Sequence, residues 1–182
     1  FATATQTSLT TLKDNSSLLI KSKLPRELFV LSRVLTAFVN FLLGCIPFAA
    51  VLAWYRAAVT IYYFMIPVVL LLLLIFTTGM SYLVSIWFVF QRDARNIYSN
   101  FIFILRFFVA MFYSVDWVAD GVKWVIQHNP LYAYIYVMRQ CVVYGRMPEG
   151  MYITQMFAWA IGMFGFGILI FKKYENEVVE RL

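Results

Sequence analysis

The sequence predicts an all-α membrane protein, a polytopic helical bundle with a re-entrant helical hairpin on its outer face and a short cytoplasmic helix. Its 182 residues are 63% hydrophobic and only 13% charged, whereas soluble domains carry roughly 25% charged residues. The charges are also separated by long uncharged runs, and each run reaches the ~20 apolar residues that an α-helix needs to cross a membrane. We therefore interpret residues 1–182 as one transmembrane domain.

Four helices are predicted to cross the membrane. We place these spans at 28–54, 67–90, 97–113 and 151–171. Pro25 precedes the first span and Pro67 opens the second, which is favourable because the first turn of a helix needs no N–H donor. The last span contains Gly162, Gly165 and Gly167, small residues that allow a neighbouring helix to approach closely.

Residues 116–146, between the third and fourth spans, are predicted to form the re-entrant hairpin. The stretch is apolar but interrupted by charges, and Asn129–Pro130 divides it into two halves. Each half is too short to cross a membrane. Because Asn129 is a favourable N-cap and proline is favourable at the first helical position, the second half is predicted to begin a helix at Pro130.

The positions of lysine and arginine predict the orientation. With four spans, Arg106 lies inside the third span, and four of the 15 basic residues (Arg56, Lys123, Arg139 and Arg146) lie on one side. The other ten share the opposite side, which the positive-inside rule makes cytoplasmic. The hairpin then lies at the outer face. The ten are Lys13, Lys21, Lys23, Arg26, Arg33, Arg92, Arg95, Lys172, Lys173 and Arg181.

A short cytoplasmic helix is predicted at residues 12–24, and we call residues 12–27 the foot. Leucine and isoleucine stand beside Lys21 and Lys23 here, and Leu24 precedes a proline, which disfavours helix. One interpretation is an anchor on anionic lipid. The other is a docking helix held at a fixed angle to a span, through which a push would reach the membrane.

Four motifs in order resemble those of permease subunits of ABC exporters for cell-surface polysaccharides, such as teichoic-acid, O-antigen and capsule exporters. The motifs are NSSLLIKSKLPRELFVLSR from Asn15, FQRDARN from Phe90, HNPLYAYIYVMRQCVVYGRMP from His128, and the charged tail FKKYENEVVERL from Phe171. Leu24 replaces the phenylalanine that is usual in the first motif. The resemblance extends over essentially the whole chain.

The resemblance implies a six-span permease of the bacterial cytoplasmic membrane, with residues 1–11 as the end of a preceding span and the N-terminus truncated. It implies a homodimer with two copies of an ABC ATPase subunit, surrounded by membrane lipid, that moves a lipid-linked glycan and binds no nucleic acid. The foot would be the coupling helix that docks into the ATPase, and the hairpin would help form the exit gate.

The chain by itself is not expected to be an enzyme. It contains no GxxxxGK[ST] phosphate loop, so we expect ATP and magnesium on the partner subunit and no cofactor or metal on this chain. A drug or small-molecule ABC exporter remains an alternative, since it shares the architecture. A membrane enzyme acting on lipid-linked sugars is a further alternative, for which Asp116 and Asp120 are the acidic pair on the outer side.

Two sets of residues are candidates for function. The ATPase-coupling set is Lys21, Lys23, Pro25, Arg26, Glu27, Arg92 and Asp93, and the substrate-path set is Arg106, Tyr132, Tyr136, Arg139 and Gln140. Arg106 is expected near the middle of the third span, where a cation is costly unless it meets a partner or an aqueous cavity. It would pair with another helix or bind a phosphate of the glycan. The tyrosines suit sugar faces and equally suit an interfacial aromatic belt.

Overall fold

The computed structural model describes residues 1–21, 24–54, 60–91, 93–109, 113 and 115–181, and no strand occurs among them. Lys23 and Arg92 lie outside the described residues. The α-helices are α1 (Ala2–Leu9), α2 (Thr11–Asp14), α3 (Ser16–Lys21), α4 (Glu27–Trp54), α5 (Met65–Phe90), α6 (Ala94–Phe108), α7 (Asp120–Gln127), α8 (Pro130–Arg139) and α9 (Gly150–Arg181). Single 3-10 turns lie at Ile61–Phe64 and Val115–Trp117, and a π-helical turn at Gln140–Tyr144. The all-α prediction is confirmed.

Three helices in the described part of the chain are long and apolar enough to cross a membrane. They cover Glu27–Leu52, Ile61–Phe90 and Gly150–Val178, close to the predicted spans 28–54, 67–90 and 151–171. The last helix, α9, has 32 residues and is about 48 Å long at 1.5 Å per residue. Since a hydrocarbon core is about 30 Å thick, α9 projects well beyond it, and the charged tail continues the helix instead of ending it.

The helix at the predicted span 97–113 has different bounds. α6 begins at Ala94, ends at Phe108 and has 15 residues, which corresponds to about 22 Å. It is not among the described helices that are long and apolar enough to cross, and residues 110–112 lie outside the description. A crossing at this position therefore stays a prediction. The buried residues Ala94, Tyr98 and Ile102 are four apart and form one narrow packed stripe on α6.

The centre of the bundle is the packed pair α5 and α9, which cross at two glycines. A Cβ atom on Gly79 would lie 2.6 Å from the Cα of Phe164, and one on Gly167 would lie 2.9 Å from the Cα of Gly79. Both positions therefore need glycine, because backbone atoms occupy the space of a side chain. The predicted close approach is confirmed at Gly167, whereas a Cβ on Gly162 or Gly165 would meet open space.

The bundle has a foot end and a hairpin end. At the foot end, a buried cluster joins the foot and the start of α4 to the ends of α5 and α9; it consists of Leu12, Leu19, Val30, Tyr82, Ile86, Phe171 and Val178. At the hairpin end, buried residues of α8 pack against the beginnings of α5 and α9; among them are Val69, Leu72, Tyr132, Tyr134, Val137, Tyr152 and Met156. The foot and the tail, both predicted to be cytoplasmic, thus share one end, and the hairpin lies at the other.

Candidate functional site

The foot is the first candidate site. Its backbone is divided at Asn15, between α2 and α3, and at Pro25, before α4. The carbonyl oxygen of Asn15 accepts hydrogen bonds from the N–H groups of Leu18 (3.0 Å) and Leu19 (2.9 Å), which begins α3. Pro25 lies just before α4, and its carbonyl oxygen accepts from the N–H of Leu28 at 3.1 Å. The helix predicted at 12–24 is therefore two short helices, α2 and α3, and a proline separates them from the first span.

The two sides of the foot differ in exposure. Leu19 is 6% exposed and packs into the buried cluster, whereas Leu18 and Leu24 are 55% and 57% exposed. Lys21, one of the coupling candidates, is exposed as well. The foot thus presents leucine and lysine side chains away from the bundle. Such a surface can contact an apolar cleft with acidic residues or an anionic lipid surface.

Arg26 and Glu27 point towards their own chain. Nη1 of Arg26 donates to the carbonyl oxygen of Glu175 at 2.6 Å and to Oδ1 of Asn176 at 3.1 Å. Oε1 of Glu27 lies 3.7 Å from Nζ of Lys172. Both residues therefore contact the foot-end part of α9, and their predicted part in binding an ATPase stays a prediction.

Asp93 lies at the foot end, at the beginning of α6. Its carbonyl oxygen accepts from the N–H groups of Asn96 (3.1 Å) and Ile97 (3.2 Å). Phe90, three residues earlier in the chain, packs edge-on against Tyr174 of α9, with ring centroids 5.7 Å apart. Within the described ranges no hydrogen bond or ion pair joins Asp93 to the foot. Lys23 and Arg92, the remaining members of the coupling set, fall outside those ranges.

The hairpin is the second candidate site, and polar contacts fix it to three helices. Oδ1 of Asn129 accepts from the N–H of Leu131 at 3.0 Å, which confirms the predicted N-cap, and its Nδ2 donates to the carbonyl oxygen of Phe108 at 3.3 Å. The buried hydroxyl of Tyr134 lies 3.2 Å from the carbonyl oxygen of Met156 and 3.4 Å from that of Leu72. The hairpin is therefore connected to α5, α6 and α9.

Three tyrosines, two on α8 and one on α9, form a cluster at the hairpin end. The ring of Tyr132 lies 6.0 Å from that of Tyr136 and 5.8 Å from that of Tyr152, and the rings of Tyr136 and Tyr152 are 4.1 Å apart. The hydroxyl of Tyr136 donates to Oε1 of Glu149 at 3.1 Å, and the side chain of Gln140 lies within hydrogen-bonding reach of it. Burial and the Glu149 carboxylate raise the pKa of Tyr136 to about 12, so the hydroxyl remains a donor.

Arg139 lies in the last turn of α8, half-buried. The structure thus brings together Tyr132, Tyr136 and Gln140 of the substrate-path set, with Arg139 next to Gln140 in the chain. Their role towards a substrate stays a prediction.

Arg106, predicted near the middle of a span, lies near the end of α6, and its depth in a membrane stays a prediction because the crossing itself does. Because α6 ends at Phe108, Arg106 is in its last turn, where a cation interacts favourably with the C-terminal end of the helix dipole. Its side chain is exposed and lines a cavity of about 510 Å³ together with Leu131 and Tyr134. No carboxylate in the described part of the chain pairs with Arg106, so the predicted structural pair is not found there.

Sequence reasoning missed the partners of both sites. On α9 the missed residues are Lys172, Glu175 and Asn176 beside the foot, and Tyr152 beside the hairpin; Glu149 precedes the helix. One signal was present at the foot: Lys172 and Asn176 are four residues apart and therefore share a face of a helix. At the hairpin, the signal was that Glu149 and Tyr152 follow the end of α8 closely in the sequence.

The described residues contain no group of three His, Cys, Asp or Glu side chains placed to hold a metal. The side chains of Asp116 and Asp120, on which the enzyme alternative depends, are outside the description. The two ends of the described part offer hydrogen bonds, aromatic faces and charges.

Comparisons with known proteins agree with this architecture. Two curated relatives, both O-antigen export system permease proteins RfbA of Klebsiella pneumoniae, are 26% identical over 183 residues; the match includes 100% of this chain and 70% of each relative. The family model described as ABC-2 type transporter matches residues 1–143. Since that match covers well over half of the residues, the chain belongs to the ABC-2 type transporter family.

Proposed function

We propose that this chain is the permease subunit of an ATP-driven exporter that moves a lipid-linked polysaccharide. Membership of the transporter family and the apolar helices make it a multi-pass protein of the bacterial cytoplasmic membrane. The observation that carries the proposal is similarity over the entire chain to O-antigen export permeases. An O-antigen, teichoic-acid or capsule type of glycan is the substrate class that this similarity favours.

The energy would come from a separate ABC ATPase subunit that binds ATP and magnesium. The support for this is the absence of a phosphate loop in the sequence and the exposed surface of the foot. Leu18 and Leu24 offer apolar area and Lys21 offers a charge on the same outward surface. Two copies of the permease and two of the ATPase would form the complex, with this surface docked on each ATPase.

The substrate would pass the hairpin end on its way out. Tyrosine rings combine an apolar face with a polar hydroxyl, which suits sugars that carry both C–H faces and hydroxyl groups. The cluster of Tyr132, Tyr136 and Tyr152 supplies such faces, and Glu149 supplies an acceptor. Arg106, exposed in a cavity beside the hairpin, is a candidate contact for a glycan phosphate by charge-assisted hydrogen bonds.

The test is export in cells that lack this gene. Its loss is expected to remove the polysaccharide from the cell surface and to accumulate lipid-linked glycan inside, and the intact gene is expected to reverse both effects. Normal surface glycan together with altered efflux of small molecules would support the drug-exporter alternative instead. A change in the structure of the glycan, with export unchanged, would support the enzyme alternative.

Two substitutions test the assigned surfaces in the same cells. Lys21→Glu is expected to reduce capture of the ATPase subunit, whereas Lys173→Glu, an exposed lysine on α9, serves as the matched control. Arg106→Gln is expected to slow export, and Arg106→Lys is expected to retain part of it. Normal export by both Arg106 variants would remove the phosphate contact from the proposal.

A further inference from the structure

Arg26 was a candidate for contact with the ATPase, but its guanidinium is already used within the chain. It donates to the carbonyl oxygen of Glu175 and to the side chain of Asn176 at 2.6 and 3.1 Å. A guanidinium has a planar set of donors in fixed directions, so two bonds to consecutive residues of α9 define the angle at which the foot meets that helix. Glu27, the next residue, approaches Lys172 one turn earlier on α9.

An apolar seam lies beneath these polar contacts. Leu19 of α3 and Val30 of α4, on either side of Pro25, are both buried with Phe171 and Val178 of α9. The short helix of the foot and the first turn of the span thus rest on the same part of α9. The proline prevents one continuous helix here, so the angle between α3 and α4 is set by their packing on α9 and α5.

The opposite part of α9 carries the hairpin. The carbonyl oxygen of Met156 accepts from Tyr134 at 3.2 Å, and the ring of Tyr152 packs on Tyr136 at 4.1 Å. Between the two ends, α9 is one uninterrupted helix, and at Gly167 it packs against the backbone of α5 at Gly79. A displacement of the foot end of α9 therefore has a rigid path to the hairpin.

We propose that Arg26 is a positioning residue that braces the foot against α9, so that a push received by the outward surface of the foot moves α9 and through it the hairpin. This inference rests on the proposed function, because the push is supplied by the ATPase. Arg26 then acts inside the permease, and the partner contact is left to the exposed residues Leu18, Lys21 and Leu24.

The test uses the purified permease–ATPase complex in lipid nanodiscs and in proteoliposomes. Spin labels on Ser17→Cys and Lys173→Cys, both exposed, report the distance between the foot and α9. Cys45 and Cys141 are replaced by alanine so that only these two sites carry a label. Labelled permease is diluted with unlabelled copies so that distances within one copy are measured. Arg26→Ala is expected to broaden this distance distribution. Arg26→Ala is also expected to lower the ratio of glycan exported to ATP hydrolysed about tenfold, because it removes a charge-assisted hydrogen bond. The ATPase is expected to co-purify with this variant as it does with wild type.

Two further variants complete the design. Arg26→Lys keeps the charge and N–H donors on one nitrogen but loses the planar guanidinium that fixes their directions, and it is expected to restore part of the export per ATP. Arg33→Ala removes an exposed arginine two turns further along α4, and it is expected to change neither the distance distribution nor the coupling.

Three results would overturn the inference. They are an unchanged distance distribution in Arg26→Ala, loss of ATPase capture in that variant, and a broadened distribution with wild-type export per ATP. Failure of the proposed function looks different, because the wild-type complex would then show no ATP-driven glycan export. In that case the distance measurement still decides whether Arg26 braces the foot.

Discussion

The hairpin end and the foot end are attached to the bundle by different kinds of contact. At the hairpin end, the hydroxyl of Tyr134 is buried and bonds to main-chain carbonyl groups of two helices. At the foot end, the contact of Glu27 with Lys172 joins side chains that are 26% and 61% exposed. Hydrogen bonds in a low-dielectric interior are strengthened, whereas exposed charge pairs are screened by salt. The bonds of Tyr134 at the hairpin end are therefore shielded from salt, whereas the Glu27–Lys172 pair is an exposed and adjustable part of the attachment of the foot.

This difference agrees with the tasks that we propose for the two ends. An end that receives a partner must adapt to it, and the exposed pair of Glu27 and Lys172 beside the Arg26 contact permits small adjustments. An end that gates a path must keep its shape until α9 moves, and the buried Tyr134, which bonds to backbone atoms, resists local change. We therefore expect the foot to open first under stress, since regions with exposed polar contacts unfold locally at lower cost.

The largest expected effect comes from breaking the crossing that joins both ends. In Gly79→Leu the new side chain would overlap backbone atoms of Met163 and Phe164, which a rotamer change cannot relieve. We expect a loss of about 3 kcal/mol or more of folding free energy, at the upper limit of overpacking, and disruption at both ends together. The measurement is thermal unfolding in detergent with the yield of monodisperse protein.

The matched control for this variant is Gly162→Leu. A Cβ at Gly162 meets open space on α9, so the same change in volume is expected to leave the unfolding temperature nearly unchanged. Equal damage by both leucines would show that the two ends do not depend on this crossing.

The next effect concerns the hairpin end alone. Asn129→Ala removes the N-cap of α8 and the bond to Phe108, and we expect a local loss of about 1–2 kcal/mol. Amide hydrogen exchange in the first turn of α8 measures it. Asn129→Asp keeps the oxygen that caps α8 but loses the N–H that donates to Phe108, so it separates capping from the contact with α6. The control is Asn100→Ala, which changes an exposed asparagine on α6. Unchanged exchange in Asn129→Ala would contradict the account.

Local features of this molecule were predictable from its sequence. The spans at 28–54 and 67–90 follow from uncharged runs, because a membrane imposes one length on any crossing helix. The cap at Asn129 and the break at Pro25 follow from backbone chemistry within a few residues. Each of these depends on neighbours in the chain, which is why the structure agrees with them closely.

Contacts between distant residues were not predictable in this way. The bond from Arg26 to Asn176 joins residues 150 positions apart, and nothing in either local sequence specifies the other. Gly79 gains its importance from the position of Gly167 on another helix. The end of α6 at Phe108, two residues after Arg106, was not predicted either, because apolar residues continue past that point in the sequence. The candidate sites could thus be assigned by residue type, but the direction in which Arg26 and Glu27 point could not.

A smaller effect is expected for a single hydroxyl at the hairpin end. Tyr134→Phe keeps the ring in place and removes the bonds to Leu72 and Met156, and we expect a loss of about 1 kcal/mol that does not change with salt. Faster amide exchange in α8 at both low and high salt would meet this expectation. Tyr144→Phe is the control, since Tyr144 is 57% exposed. A loss that appears at low salt and vanishes at high salt would remove the distinction between the two ends.

The smallest effect is expected for the exposed charge pair at the foot end. Lys172→Gln removes the ion pair with Glu27, and exposed pairs contribute about 0–1 kcal/mol, so we expect at most a few-fold faster amide exchange in the first turn of α4. This difference from wild type is expected to disappear near 1 M salt, where the screening length falls to about 3 Å.

Lys173→Gln is the control, because it removes the same charge from the adjacent residue. The double variant Glu27→Lys with Lys172→Glu is expected to recover wild-type exchange at low salt, since it reverses the pair without losing it. If Lys172→Gln proved as damaging as Tyr134→Phe and equally insensitive to salt, the foot would be as rigidly attached as the hairpin, and the contrast between an adjustable and a firm end would not hold.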